Sequence, residues 1–234
     1  MLIKTRAIVL HHVKYGETSL IVTLYTERHG RMTCIVSGIR SKKTHLSLTY
    51  FQPLTLLEAE IYYKSNREVH RLKELSCPFH YTSIPFSITK RSISLFLAEI
   101  LWLTLREEES NEGLFNFLFH AFQLLDSKDE GVANFHLLFL IHYSRYLGIF
   151  PPGLESSPDI SRFADMKVFR NLPGETGRIF MEMMKTSLAQ AEIISLNKAG
   201  RLILLDALVK YFEEHLEGMG RIKSVAVLKE LFSD

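Results

Sequence analysis

The first 75 residues of this chain alternate apolar and polar side chains with a period of two, and turn residues separate the runs. The apolar side chains of one face are Leu20, Val22 and Leu24 and, after the turn at Gly30, Met32, Cys34 and Val36. Alternation with this period indicates β-strands with one buried face, because successive side chains of a strand point to opposite sides. The front third is therefore predicted to be a small antiparallel sheet.

Five strands are predicted in this part: residues 3–13, residues 19–26, one carrying Met32, Cys34 and Val36, residues 51–61 and residues 69–74. In the first strand one predicted face carries Ile3, Ala7, Val9 and Val13, and the other carries Ile8 and Leu10. Pro53 falls near the start of the fourth strand, where its missing N–H does least harm. Five short antiparallel strands favour a small barrel, most commonly an OB-fold.

After Pro78 the pattern changes to long apolar stretches at helical spacing. Helices are predicted at residues 89–106, 112–125, 132–147, 175–187, 200–216 and 224–232. The predicted fold class is α+β with two domains. Residues 1–78 are predicted to form the OB-fold domain, and residues 79–234 are predicted to form an α-helical domain.

The net charge of +2 is unevenly distributed. Residues 1–80 hold twelve Lys and Arg against six Glu, whereas residues 81–234 hold sixteen basic against twenty acidic residues. A basic module on an acidic remainder indicates a nucleic-acid-binding domain joined to an interaction domain. The alternative is that the charge has drifted by chance between two domains.

Basic and aromatic residues cluster in the predicted loops of the barrel, as expected of a site that neutralises phosphates and stacks bases. The candidate DNA-binding residues are Lys14, Tyr15, Arg40, Lys42, Lys43, Tyr62, Tyr63, Lys64 and Arg67. Two alternatives stay open. The basic loop after Gly38 is a solvated surface loop, or one or both of Tyr62 and Tyr63 pack on the barrel.

The sequence carries no catalytic signature. There is no Gly-rich phosphate loop ending in Lys-Ser/Thr, no Gly-x-Ser-x-Gly and no His-Glu-x-x-His. Cys34 and Cys77 lie 43 residues apart without a second cysteine at metal-ligand spacing, so we predict reduced, buried thiols and no zinc ribbon. The alternative is a disulfide or a metal role for these thiols. No cofactor is predicted. No apolar run reaches the ~20 residues of a membrane span, and no secretory signal is apparent. We therefore expect a cytoplasmic protein.

Three stretches give the chain a family resemblance. The first is Ala7-Ile8-Val9-Leu10 followed by Tyr15-Gly16-Glu17, Ile21-Val22-Thr23-Leu24-Tyr25-Thr26 and Gly30. The second runs from Gly38-Ile39-Arg40-Ser41-Lys42-Lys43 to Phe51-Gln52-Pro53-Leu54. The third is Tyr211-Phe212-Glu213-Glu214-His215-Leu216 with Ile222-Lys223-Ser224 and Leu228. In their order and spacing these stretches resemble the RecO family of bacterial DNA-repair and recombination-mediator proteins.

The resemblance implies an N-terminal OB-fold, a helical C-terminal domain and a non-enzymatic activity. That activity comprises binding of single- and double-stranded DNA, annealing of complementary strands, and help to RecA in replacing single-stranded DNA-binding protein together with RecR. It makes RecA and RecF indirect partners and implies a nucleoid-associated protein. Many members carry a four-cysteine zinc site, which this sequence lacks, so the segment around residues 147–172 is expected to be restructured.

The family's helical domain also accepts the acidic, Phe-ended tail of single-stranded DNA-binding protein. The candidates for an apolar slot rimmed by cations are Arg91, Leu138, Arg145 and Tyr146. The alternative is that the two arginines lie on helix surfaces and pair with carboxylates. A second hypothesis for the whole chain is a protein–protein adaptor whose OB-like domain does not itself bind DNA.

Overall fold

The computed structural model describes residues 1–39, 47–150, 168–169 and 172–233. These residues form two compact units. The first consists of residues 1–82 and 94–123, and the second of residues 83–93 with the described residues from 124 onward. The predicted domain boundary after residue 78 stays a prediction.

The first unit contains a closed five-stranded barrel with the strand order β1-β2-β3-β5-β4. Its strands are β1 (Leu2–Tyr15), β2 (Ser19–Thr26), β3 (Gly30–Ser37), β4 (Leu56–Tyr62) and β5 (Val69–Ser76). The predicted five-stranded barrel followed by helices is confirmed. Four of the strand pairings are antiparallel, but β3 and β5 pair in parallel, from Thr33 opposite Val69 to Ile35 opposite Arg71. The sheet is therefore mixed, since closing this barrel brings two strands of the same direction together.

The barrel interior is filled by one row of side chains from each strand. It includes Ile3, Ala7, Val9, Leu20, Val22, Leu24, Met32, Cys34, Val36, Leu57, Ala59, Ile61 and Leu72. The predicted inward rows of β2 and β3 are thus confirmed. Val13, predicted to share the face of Ile3 and Val9, is instead 46% exposed. A bulge between Val9 and His11 inserts one extra residue, and this reverses the faces of the strand beyond it.

The fourth strand begins later than predicted. Residues Leu48–Phe51 form a 3₁₀ turn, and Leu54 has a positive φ of 67°, so the chain turns sharply before β4 starts at Leu56. The turn is held to β1, because the Leu54 N–H donates to the Val9 carbonyl at 2.7 Å. The prediction of a strand from residue 51 was therefore wrong. A turn was not predicted there because the residue in the left-handed conformation is a leucine, whereas glycine is the residue that usually marks such a turn.

The helices are α1 (Ile88–Thr104), α2 (Glu112–Ser127), α3 (Val132–Tyr146), α4 (Gly174–Lys185), α5 (Lys198–His215) and α6 (Ser224–Ser233), with a 3₁₀ segment at Leu188–Ile193. Within the described ranges, none of these helices is long and apolar enough to span a membrane. In the second unit, the α3 residue His136 is fully buried with its ring 5.2 Å from that of Phe232. Burial lowers the pKa of His136 to about 3.

Part of α1 and α2 belongs to the first unit and packs against the outside of the barrel. The Trp102 ring stacks on His11 of β1 at 4.4 Å, and the Phe115 ring lies 6.2 Å from that of Tyr25 on β2. The Arg31 guanidinium lies 4.3 Å from the centre of the Trp102 ring. The outer face at one end of β1, β2 and β3 is therefore covered by the chain's own helices.

Candidate nucleic-acid interface

The loop between β4 and β5 presents one aromatic and two cationic side chains to solvent. Tyr62, the last residue of β4, is 46% exposed, and Lys64 and Arg67 are exposed in the turn that follows. The turn is closed by the Arg67 N–H, which donates to the Lys64 carbonyl at 3.1 Å. Neither cation has an ion pair within 4 Å among the described residues. Their charge is thus available to an anionic ligand.

Tyr63 has a different environment from Tyr62. Its ring lies between His29 and His70, with ring centres 5.1 and 4.8 Å away. Its backbone is also fixed, since its N–H donates to the Met1 carbonyl and its own carbonyl accepts from the Met1 amino group at 3.0 Å. Tyr63 packs against the barrel and anchors the loop, whereas Tyr62 offers a ring face.

His70 ties the same loop to β5. The Lys64 N–H donates to His70 Nδ1 at 3.4 Å, which requires that nitrogen to be unprotonated. Burial is the main cause that lowers the pKa of His70, the Glu108 carboxylate opposes this, and His29 adds to the lowering. The neutral imidazole is therefore favoured, and it keeps the loop attached to the barrel.

Lys14 and Tyr15 lie at the far end of β1, and both are exposed, Tyr15 by 55%. The adjoining turn is bonded to the end of β3, because the N–H groups of Gly38 and Ile39 both donate to the Thr18 carbonyl at 2.9 and 3.0 Å. The three further candidates, Arg40, Lys42 and Lys43, follow directly in the sequence but lie outside the described residues.

The structure separates these candidates into two groups. Tyr62 is in register with Leu2 at the start of β1, whereas Tyr15 is in register with Ser19 at its end. Since β1 has fourteen residues, the two groups lie at opposite ends of a long strand. The described candidate residues therefore do not form one continuous patch.

The sequence did not single out Arg71, an exposed residue of β5 in register with Tyr62 on β4. Registered residues of an antiparallel pair lie side by side on the same face. Nearby Lys4 and Lys73 both pair with Glu60, at 2.5 and 2.9 Å, so their charge is largely compensated. Arg71 has no ion pair in the described part of the chain. The alternation of Val69, Arg71 and Lys73 was the available signal, but only the register shows that Arg71 adjoins Tyr62.

The four candidate partner-binding residues lie in the second unit and have unlike surroundings. Arg91 is exposed on α1 and Tyr146 is 41% exposed at the end of α3. Leu138 is fully buried and offers no surface to a ligand. Arg145 donates to the Met184 carbonyl at 2.9 Å and lies 4.4 Å from the Phe150 ring centre, so much of its hydrogen-bonding capacity is used within the unit.

The described residues contain no group of three or more His, Cys, Asp or Glu arranged to hold a metal ion. Cys34 is buried in the barrel, and burial raises the pKa of its thiol to about 12. Burial also raises the pKa of the Cys77 thiol. Both thiols are protonated near neutral pH, when they are weak nucleophiles and weak ligands.

Comparisons with known proteins place both parts of the chain in one family. Residues 1–79 match the family model described as Recombination protein O N terminal, and residues 85–154 match Recombination protein O C terminal. Curated relatives named DNA repair protein RecO are similar over essentially their whole length. The chain is 38% identical to that of Bacteroides fragilis, over 99% of this chain and 100% of the relative. It is 37% identical to that of Flavobacterium psychrophilum, over 100% of both.

Proposed function

Because this chain belongs to the RecO family of DNA repair proteins, we propose that it is a non-enzymatic recombination mediator. In this proposal it binds single- and double-stranded DNA and anneals complementary strands. It also helps to load RecA, together with RecR, onto DNA coated by single-stranded DNA-binding protein. The name of the relatives supports a role in DNA repair, and the barrel supports the binding step.

The observation that carries the proposal is the loop between β4 and β5. In OB-folds this loop flanks the oligonucleotide-binding surface. Here it places exposed Tyr62 beside Lys64 and Arg67, two cations without an ion pair in the described structure. An aromatic ring can stack a base, and ammonium and guanidinium groups can neutralise the phosphates on either side. Lys14, Tyr15, Arg40, Lys42 and Lys43 are the proposed second contact region.

Annealing needs no covalent step, which is why a binding protein can promote it. Two complementary strands repel each other through their phosphates, and this repulsion slows their encounter. Cations that replace condensed counterions reduce the repulsion, and stacked, unpaired bases are held ready for pairing. The exposed side chains of the loop supply both effects.

The binding step is tested by titrating labelled single-stranded DNA with the full chain at several salt concentrations. We expect the logarithm of the binding constant to fall with the logarithm of salt concentration, with a slope of about −0.7 for each phosphate contact. Replacing Lys64 and Arg67 together by alanine should make the slope shallower by about 1.4. Absence of binding would refute the proposal and favour the adaptor hypothesis, particularly if the same preparation still bound RecR or single-stranded DNA-binding protein.

The annealing and loading steps need a separate measurement. Complementary labelled strands coated with single-stranded DNA-binding protein should anneal faster when the chain is added. The Lys64 and Arg67 double variant should lose most of this acceleration. An acceleration that the double variant retained in full would remove the loop from the site.

The tail of single-stranded DNA-binding protein is proposed to bind the helical part through Arg91 and Tyr146, which are both exposed. Arg145 is exposed as well, but it already donates to the Met184 carbonyl. Arg91→Ala should weaken binding of a labelled tail peptide, because the acidic residues of the peptide lose a cation. The same substitution at exposed Arg178 serves as the control for charge. Equal effects of the two substitutions would contradict the assignment.

A further inference from the structure

Four outward-facing side chains on neighbouring strands form one row across the outside of the barrel. Ile35 of β3 is in register with Arg71 of β5, Arg71 with Tyr62 of β4, and Tyr62 with Leu2 of β1. We call this set the outer row. Adjacent strands lie about 4.8 Å apart, so the outer row extends over about 14 Å. None of its members belongs to the barrel core cluster.

Three of the four side chains of the outer row are apolar or aromatic, and the fourth is a cation. Leu2 is 42% and Tyr62 46% exposed, Arg71 is exposed and Ile35 is half-buried. Exposed Val69 lies two residues before Arg71 on the same face of β5. An arginine between apolar and aromatic neighbours can stack on a flat ring or bind a phosphate.

The usual binding surface of an OB-fold, the outer face of β2 and β3, is partly closed in this chain. On β2, Thr23 is 6% and Tyr25 only 2% exposed, and the Tyr25 ring packs near Phe115. On β3, the Arg31 guanidinium packs over the Trp102 ring at 4.3 Å. A ligand that follows the barrel surface meets these helices there. The outer row begins beyond Arg31 on β3 and is not covered by the described residues of the first unit.

The charges beside the outer row favour one direction for a polyanion. Lys64 and Arg67 lie in the loop that follows Tyr62, and neither has an ion pair in the described structure. On the other side the open groove along β1, β4 and β5 carries charges of both signs, from Lys4, Arg6 and Arg28 and from Glu27, Glu58, Glu60 and Glu74. Phosphates are thus attracted from the outer row toward the uncompensated cations of the β4–β5 loop.

We propose that the outer row Ile35–Arg71–Tyr62–Leu2 is a base-stacking surface for single-stranded nucleic acid. This rests on the DNA-binding function proposed above and assigns it to the side of the barrel rather than to the face of β2 and β3. A base stacks on Tyr62, neighbouring bases contact Leu2 and Ile35, and Arg71 binds the intervening phosphate. The paired bases of a duplex do not present their faces, so the surface selects single strands.

The experiment compares binding of an oligothymidine and of an abasic oligomer with the same number of phosphates. Stacking of one base is worth about 1–3 kcal/mol, so Tyr62→Ala should weaken oligothymidine binding between about fivefold and 150-fold. Tyr62→Phe, which keeps the ring, should bind like the wild type. Tyr62→Ala should leave abasic-oligomer and duplex binding unchanged. Arg71→Ala should instead make the salt slope shallower by about 0.7 on all single-stranded ligands.

Phe86→Ala and Arg221→Ala are the controls for loss of an exposed aromatic ring and of an exposed cation, since both side chains are exposed and lie in the second unit. One result is that the wild type binds DNA while neither Tyr62→Ala nor Arg71→Ala weakens binding more than the controls do. This result would overturn the stacking surface but would leave the proposed function unaffected. If Tyr62→Ala lost the same affinity for oligothymidine, the abasic oligomer and the duplex, the stacking surface would also be overturned, because a base cannot stack on Tyr62 in the last two ligands. A wild-type chain that bound no nucleic acid would refute both.

Discussion

Arg31 of the barrel binds the C-terminal end of α1 through the ring and the backbone of Trp102. Its guanidinium lies 4.3 Å from the centre of the Trp102 ring, and its Nη1 donates to the carbonyls of Trp102 and Leu105 at 3.1 and 2.6 Å. The last carbonyls of a helix have no partner within the helix. One side chain of β3 therefore satisfies two of them and covers the indole.

Arg31→Ala should destabilise the first unit by about 2–4 kcal/mol, because two charge-assisted hydrogen bonds and a cation–π contact are lost together. Arg31→Lys should lie between alanine and the wild type, since an ammonium cannot stack its plane on the indole. Trp102 is the chain's single tryptophan, so urea unfolding followed by its fluorescence reports on this site. Arg28→Ala, at an exposed position nearby, should change stability by less than about 0.5 kcal/mol. An equal loss in both variants would contradict the role of Arg31.

Gly30→Ala should be far more costly than Gly16→Ala. Both glycines have a positive φ, 59° and 65°, so an alanine at either site costs about 1–2 kcal/mol in backbone strain. At Gly30 a Cβ would also lie within 3 Å of backbone atoms of residues 107–109, whereas at Gly16 it would meet nothing within 4 Å. The difference between the two unfolding free energies isolates the clash. Similar values would show that the 107–109 backbone moves away without cost.

His136 should make the second unit sensitive to acid. Its pKa is lowered to about 3 in the folded chain, chiefly by burial and also by Arg201, whereas the ordinary value is 6.5. The unfolded chain therefore binds a proton that the folded chain refuses between these two values. Stability is fully retained above pH 6.5 and falls as the pH is lowered, by up to about 1.4 kcal/mol per pH unit from this residue.

The test is the pH dependence of the unfolding free energy in the wild type and in His136→Gln, followed by far-ultraviolet circular dichroism. The variant should lose stability at all pH values but show a shallower slope between pH 6.5 and 4. In the wild type, the ring-proton NMR signals of His136 should not shift over this interval. A midpoint near 6 would contradict the buried, neutral imidazole.

Tyr63 should act on DNA binding only through the position of its loop. Its ring packs between His29 and His70, and no described residue accepts a hydrogen bond from its hydroxyl group. Tyr63→Phe should therefore keep both stability and DNA affinity. Tyr63→Ala should destabilise the first unit by about 1–3 kcal/mol, because the stack loses its central ring, and it should weaken DNA binding. Loss of affinity in Tyr63→Phe with unchanged stability would indicate direct contact instead.

The sequence predicts the fold correctly where the local alternation of side chains determines the structure. It fails where contacts between residues distant in the chain determine the structure. Leu20, Val22 and Leu24 alternate without interruption, and all three lie in the barrel core. Val13 continues the same pattern in β1, yet the bulge after Val9 turns it outward. Leu54 adopts a left-handed conformation that favours glycine, so nothing in its identity marks the turn before β4.

The candidate site is likewise predictable from the sequence only in part. The mixture of aromatic and basic residues from Tyr62 to Arg67 identifies the β4–β5 loop, because such a turn must lie at the surface. The sequence does not distinguish Tyr62 from Tyr63, since their difference depends on His29 and His70, which are distant in the chain. Arg71 joins the candidate site only through its register with Tyr62, which is set by the length of the loop between β4 and β5.

The parallel pairing of β3 with β5 also has a consequence during synthesis. Strands β1, β2 and β3 can pair as soon as residue 37 has left the ribosome, but β3 finds its second neighbour only when β5, ending at Ser76, has emerged. At 5–20 residues per second this interval lasts about 2–8 s. Throughout it the nascent sheet exposes the unpaired backbone edge of β3, the kind of edge that aggregates or recruits a chaperone.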